Sequence, residues 1–460
     1  MIAKAPISLL IYLLAFLLNS KVLADGTGLI GWGKTMYDPP CAFACRAVIK
    51  ACRLLCTPAP GGKNYGTAHS PIVTPPECFT TDNAFLRTMA LCIDTYCPAN
   101  GAPPMSKIDD YWASHLAVTT VGNYQWKPSF TFNEALEAAR IDEEVSLEKT
   151  NHSTISRRQH SHTPSDGGQS SPQPTYTSSL PVIKAKAPLN VTSFVSEKDW
   201  RKQYNGLTSF EINENGHSTY TITVMLVALF LPVFLSLLQF IPGVRRNQTW
   251  TWINSLLSYP AAWGKRHREP TAAGLVIPTR GQMLYLLLIS FLNVIFLVAP
   301  YYNIQPQSTF ATLREQEVST IGNRAGSMAM GNAVAIFVFS TRSNLLLHLT
   351  DWSHGTFLLL HRCLGYWVVL HTVLHSIMLL VNYCLFGHYD EERIRLYWAW
   401  GIVATIAIVA IVPSSLLIVR QKMYEFFLAT HVVLALIFLV GYYYHIWYLY
   451  TWSWGYEIWV

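Results

Sequence analysis

Residues 356–385 of the chain read TFLLLHRCLGYWVVLHTVLHSIMLLVNYCL, an apolar segment with Arg362 as its single formally charged side chain. Residues 426–448 read FFLATHVVLALIFLVGYYYHIWY and carry no such charge. A helix needs about 20 apolar residues to cross the hydrocarbon core of a bilayer. Both segments reach that length, so the sequence predicts a transmembrane helix at each.

Each of the two segments contains a pair of histidines, His361 with His375 and His431 with His445, and both pairs are 14 residues apart. This spacing is just under four helical turns, so the two histidines of a helix share one face at levels ~21 Å apart. Ionisable side chains inside a membrane are costly and mark functional sites. We expect His361 to face His431 and His375 to face His445, as the axial ligands of two b-type haems.

Two other interpretations of these histidines remain open. His371 lies one turn before His375 and could replace it as a ligand. All four residues could instead be core histidines bonded to neighbouring polar groups. The matched spacing of the two pairs favours His375 and haem ligation.

The remaining apolar segments predict an all-α membrane protein, a transmembrane helical bundle of about six spans with a small disulfide-stapled N-terminal ectodomain. Only 13% of the residues are charged, whereas 51% are hydrophobic. The four further spans are Tyr220–Ile241, Gln282–Pro300, Ala325–Leu347 and Tyr397–Val419. Basic residues in two loops predict the cytosolic side, with the N-terminal domain outside a plasma membrane. These residues are Arg245, Arg246, Lys265, Arg266, Arg268, Arg280, Arg420 and Lys422.

The N-terminal part has the features of a secreted domain. Residues 1–24 predict a signal peptide, and seven of the nine cysteines fall in the extracellular domain at 25–149. Disulfides are favoured over a metal site for these cysteines, and the odd number leaves at least one unpaired. Residues 150–217 are interpreted as a disordered linker, 218–242 as the first transmembrane helix and 282–460 as the haem-binding transmembrane domain. Glycans are expected at Asn151 and Asn190 but not at Asn247, which the topology places in the cytosol.

Around the histidines the sequence resembles the fungal ferric reductase family of membrane flavocytochromes. The likeness is carried by LHRCLG at 360–365, by His375, and by YEFF at 424–427 leading to His431 and His445. Arg324, Arg342 and Asn344 stand where that family also has polar residues. The resemblance implies that Arg362 contacts a haem propionate. The chain departs from the family at Cys363, where an aromatic residue is usual, and at Tyr366, where an arginine is usual.

The resemblance also implies the reaction. Family members pass electrons from cytosolic NADPH through FAD and two haems to extracellular ferric chelates or cupric ions, for uptake of iron or copper. No phosphate-binding glycine motif for FAD or NADPH is present in this sequence. We therefore expect the chain as written to need a separate flavin and NADPH electron donor, and to be reduced by dithionite but not by NADPH.

Two rival functions belong to other classes of protein. One is a superoxide-producing oxidase related to the NADPH oxidases, and the other is a non-catalytic membrane receptor or transporter. A visible spectrum separates the haem-binding classes from the last one. A nucleic-acid partner is not expected.

Overall fold

The structure is a computed structural model that describes residues 29–58, 63–65, 72–118, 122–157, 178–264, 277–342, 345–350 and 352–450. The predicted signal peptide lies outside these residues. The chain forms two compact units. We call the first the Cys-bearing unit (Thr35–Glu211 with Ile304–Thr312) and the second the membrane unit (Met1–Lys34, Ile212–Asn303 and Leu313–Val460).

The Cys-bearing unit is a helical domain crosslinked by disulfides. Its helices are α1 (Pro40–Ile49), α2 (Pro76–Thr81), α3 (Asn83–Tyr96), α4 (Met105–His115) and α5 (Phe132–Arg157). Cys41 and Cys45 lie one turn apart on α1, so one helix face supplies two crosslinks toward α3 and its C-cap. The bonds are Cys41–Cys97, Cys45–Cys92 and Cys56–Cys78. The expected disulfides are confirmed, and the buried Cys52 is left with a free thiol.

The predicted disordered linker at 150–217 is wrong wherever the structure describes its backbone. Helix α5 continues to Arg157, and residues 178–196 lie on the core of the Cys-bearing unit. Trp200 is completely buried between the rings of Tyr96 and Tyr204, with centroid distances of 4.6 and 4.8 Å. The Ser- and Pro-rich composition does not extend over this region. The apolar residues that bury here are Leu180, Ile183, Leu189, Phe194 and Val195.

The membrane unit confirms the all-α, multi-span class. In chain order its helices are α6 (Glu197–Leu237, which begins in the Cys-bearing unit), α7 (Gln248–Leu257), α8 (Arg280–Val298), α9 (Leu313–Ser340), α10 (Leu345–Leu349), α11 (His354–Phe386), α12 (Tyr389–Glu392), α13 (Leu396–Ser414), α14 (Leu417–Lys422) and α15 (Tyr424–Tyr450). Among the described residues, five of these helices are long and apolar enough to cross a membrane, namely α6, α8, α11, α13 and α15. Strand is limited there to the parallel pair Leu29–Ile30 and Gly33–Lys34.

The third predicted span, Ala325–Leu347, is not one of those five helices. It is α9, which begins at Leu313 and ends at Ser340. The helix therefore ends before the predicted end at Leu347, and it includes the polar residues before Ala325 that the prediction left out. Glu315, Gln316 and Arg324 are buried there. Helix α9 packs along α11, and α13 packs along α15.

The fifth predicted span is also shorter than expected. It was placed at Tyr397–Val419, but α13 ends at Ser414, directly after Pro413. Proline lacks the backbone N–H of a helical residue and its ring crowds the carbonyl four residues earlier, so Pro413 weakens the last turn of α13. The chain turns at Ser415 and Leu416 before α14 begins. This break places the Ser415 hydroxyl at the end of α13.

We predict that Trp200→Ala lowers the free energy of unfolding of the Cys-bearing unit by about 3–5 kcal/mol, the usual cost of removing a fully buried tryptophan. Val182→Ala is the control, because Val182 belongs to the same region but is 52% exposed. Pulse proteolysis of the full chain in detergent, across a urea series, gives the midpoints. Equal midpoints for the two variants would show that Trp200 is not part of the core.

Candidate functional site

The first histidine pair of the membrane unit is His361 on α11 and His431 on α15. Their ring centroids are 6.1 Å apart, with an angle of 55° between the ring planes. Phe427 lies one turn before His431, and its ring centroid is 5.4 Å from that histidine. The expected approach of His361 to His431 is therefore present.

The second pair is His375 on α11 and His445 on α15. Their centroids are 6.2 Å apart and their ring planes are 85° apart. Both pairs join the same two helices. The 14-residue spacing on each helix therefore separates one pair from the other. The bundle thus contains two levels of facing imidazoles.

Three of the four rings are held by a backbone carbonyl. His361 Nδ1 is 3.0 Å from the carbonyl oxygen of Ile336, and His375 Nδ1 is 2.8 Å from that of Gly322, both on α9. His445 Nδ1 is 2.8 Å from the carbonyl oxygen of Tyr397 on α13. A carbonyl only accepts hydrogen bonds, so Nδ1 must donate its proton, and Nε2 keeps a free lone pair.

The fourth ring, His431, has a different partner. Its Nδ1 lies 3.1 Å from the hydroxyl of Ser415, the residue at the break after α13. A hydroxyl can accept as well as donate, so it also supports the tautomer with a free Nε2. Within the described part of the chain, no protein group hydrogen-bonds Nε2 of His361, His375, His431 or His445.

Glycines make room for two of the rings. A Cβ atom on Gly326 of α9 would lie 2.7 Å from His375 Nδ1, and one on Gly401 of α13 would lie 2.8 Å from His445 Nδ1. Real Cβ atoms do not come so close, so each position must be glycine for the imidazole to lie against the helix backbone. These glycines, four residues after the carbonyls of Gly322 and Tyr397, were not singled out from the sequence. Small residues spaced by four in an apolar helix are the signal that would have found the Gly322 and Gly326 pair.

The separation of the rings fits a metal held between them. Two metal–imidazole bonds of about 2 Å in line, with about 1 Å from each nitrogen to its ring centre, give centroids about 6 Å apart. The observed distances are 6.1 and 6.2 Å. Donation by Nδ1 to a protein oxygen is also the usual support of a metal-binding histidine. The residues present therefore fit one metal bound by both imidazoles at each level.

His371 is placed elsewhere. Its side chain is fully buried, and its Nε2 is 3.0 Å from Oδ1 of Asn293 on α8. The amide of Asn293 in turn accepts from Asn332 Nδ2 on α9 at 2.7 Å. His371 belongs to this buried polar group between α8, α9 and α11, and His375 is the residue that faces His445.

The arginines singled out from the sequence have separate positions. Arg324 is buried on α9 and donates from Nη1 to the carbonyl of Ala299 at 2.6 Å, just beyond α8. Its guanidinium also lies 3.7 Å from the ring centre of Tyr301, so it fixes the end of α8. Arg362, next to His361, and Arg342 are exposed. Asn344 lies outside the described residues, and the propionate contact of Arg362 stays a prediction.

The fold and the two levels of imidazoles define a class, the multi-span helical membrane proteins with paired histidines between two helices. A family model described as "Ferric reductase like transmembrane component" matches residues 325–442. That range contains His361, His375 and His431, and ends before His445. In this part of the sequence the chain is therefore similar to the ferric reductase family.

Curated relatives carry the same description in their names. The chain is 26% identical over 269 residues to "Ferric/cupric reductase transmembrane component 1" of Candida albicans, covering 56% of this chain and 35% of that one. It is 26% identical over 224 residues to "Ferric reductase transmembrane component 4" of Saccharomyces cerevisiae, covering 48% and 31%. "Ferric reductase transmembrane component 6" of the same yeast is 31% identical over 154 residues, covering 33% and 20%. The matched part of the chain thus spans between a fifth and about a third of the length of these relatives. No solved structure matches it.

Proposed function

We propose that this chain is the membrane-spanning, electron-carrying part of a reductase for ferric chelates or cupric ions, with two b-type haems as its resident cofactors. The observation that carries the proposal is the repeated pair of facing imidazoles between α11 and α15, 6.1 and 6.2 Å apart. Isolated buried histidines would not need to meet in register at two levels. The names of the relatives supply the substrate class.

His361 with His431 would hold one haem, and His375 with His445 the other. Bound haem would supply one-electron redox chemistry at each level. The protein's own part is to keep each Nε2 unprotonated and aimed by engaging Nδ1. With one histidine from each helix as ligands, a bound haem would pass single electrons without binding the substrate itself. Arg362 is the residue proposed to pair with a propionate.

The sidedness of the proposal rests on two features. The three disulfides favour an oxidising compartment for the Cys-bearing unit. The basic residues between α6 and α8, and those on α14, favour the cytosol for the opposite ends of the helices. We therefore place the His361–His431 pair near the cytosol and the His375–His445 pair near the outer surface, in a plasma membrane. Electrons would come from a flavin- and NADPH-binding module and leave to the metal outside.

Removing one ligand should release one haem. We predict that His361→Ala or His431→Ala leaves about one haem per chain, and that His375→Ala or His445→Ala does the same for the other level. His371→Gln is the matched control, because glutamine can still donate to Asn293, and it should keep both haems. Haem is counted by the pyridine haemochrome assay on the purified full chain. If His375→Ala keeps both haems while His371→Gln loses one, the assignment to His375 is wrong.

Ser415, the partner of His431, should affect the reduction potential of one haem only. A hydrogen bond from Nδ1 makes an imidazole a stronger donor to iron and stabilises the ferric form. We predict that Ser415→Ala raises the reduction potential of the haem held by His361 and His431 and leaves the other potential unchanged. The control is Ser414→Ala, since Ser414 donates to the carbonyl of Ile411 at 2.9 Å. Spectroelectrochemical titration measures both potentials, and an unchanged pair of potentials in Ser415→Ala would contradict the assigned role.

A further inference from the structure

Helix α7 (Gln248–Leu257) lies between two candidate spans, α6 and α8, and exposes large aromatic side chains. Trp252 is 61% exposed, and Leu256, one turn later, is 39% exposed. Beyond the end of the helix, Tyr259 is 78% exposed and Trp263 is 53% exposed. Trp252 and Leu256 are four residues apart within the helix and so lie on one side of it, and Tyr259 and Trp263 add exposed aromatic rings just beyond its end. Such an exposed apolar stripe requires a partner.

The segment is fixed to the start of α8. The backbone N–H of Ala262 donates to the carbonyl of Pro278 at 2.9 Å, and that of Arg280 donates to Pro260 at 3.0 Å. The carbonyl of Leu257 lies against Gly281, where an added Cβ would be 3.3 Å from it. Helix α7 is therefore held at the level at which α8, an apolar helix of membrane-spanning length, begins.

Three sides of α7 can be distinguished at 100° per residue. One side carries the half-buried residues Trp250, Ile253 and Leu257. A second, about 120° away, carries the exposed Trp252 and Leu256. The third carries exposed polar residues such as Thr251. A helix lying in a membrane surface beside a protein has these three environments, which are protein, lipid and water.

We propose that α7 is an interfacial helix, lying in the plane of the membrane with Trp252, Leu256, Tyr259 and Trp263 inserted into the phospholipid headgroup region. Tryptophan and tyrosine prefer this region because their rings are apolar and their N–H and O–H groups stay hydrated. The charge of the segment agrees with anionic phospholipid. Residues 238–264 contain no Asp or Glu, and Arg246 and Arg280 on either side of α7 are exposed.

The test is photocrosslinking of the full chain in vesicles of phosphatidylcholine and phosphatidylserine. Trp252 is replaced by p-benzoylphenylalanine, an aromatic residue of comparable size that crosslinks to nearby C–H bonds. The matched control carries the same residue at Thr251, on the polar side of the helix. A second variant at Tyr259 tests the same stripe if the first fails to insert. Mass spectrometry of the 248–264 peptides identifies what has been attached.

The expected result is a phospholipid adduct at position 252, several-fold more abundant than at position 251, and the same adduct at position 259. Three results would overturn the proposal. These are equal lipid adducts at 251 and 252, crosslinks from 252 to a second copy of the chain or to another protein, and the lack of a lipid adduct at both 252 and 259 in folded, inserted protein. None of these outcomes depends on haem binding, so the proposed electron-transfer function can fail without affecting this test.

Discussion

An imidazole inside an apolar bundle has two ring nitrogens to satisfy, and this constraint organises the membrane unit. In each histidine of the two pairs, Nδ1 is hydrogen-bonded to a protein oxygen. For His361 and His375 this oxygen belongs to α9, and for His431 and His445 it belongs to α13 or to the residue that follows it. An unsatisfied polar group in such surroundings costs roughly 1–3 kcal/mol. The second nitrogen is left to the space between α11 and α15. The arrangement is therefore costly unless a metal or another acceptor of the lone pair occupies that space.

Helices α9 and α13 have features that let them hold these imidazoles. Gly322 and Ile336, whose carbonyls accept from His375 and His361, are themselves 14 residues apart on α9. An antiparallel neighbour with the same spacing can thus hold both rings of α11 in register. Gly326 and Gly401 let two of the rings reach the helix backbone. Helix α9 is less apolar than its neighbours because it carries this supporting role, together with the buried Arg324 that closes the end of α8.

The sequence was sufficient for the helices with the strongest apolar runs and for the pairing of the histidines, because a 14-residue period on two helices depends only on helix geometry. It was not sufficient where contacts between distant parts of the chain determine which residues are buried or crosslinked. The buried Arg324 of α9 has a partner in the carbonyl of Ala299, which lies 25 residues away in the chain. The disulfide pairing could not be deduced from spacing alone. Trp200 was assigned to a linker because a biased composition nearby was extended too far along the chain.

The central claim is that the two pairs of imidazoles hold two haems with histidine on both faces. The most direct measurement is the haem content of the purified full chain from haem-replete cells, combined with electron paramagnetic resonance of the oxidised protein. The account predicts two haems per chain, both low-spin and six-coordinate, because a protein nitrogen would occupy each axial position. A colourless protein, a single haem per chain, or a high-spin signal from either haem in the intact protein would contradict it.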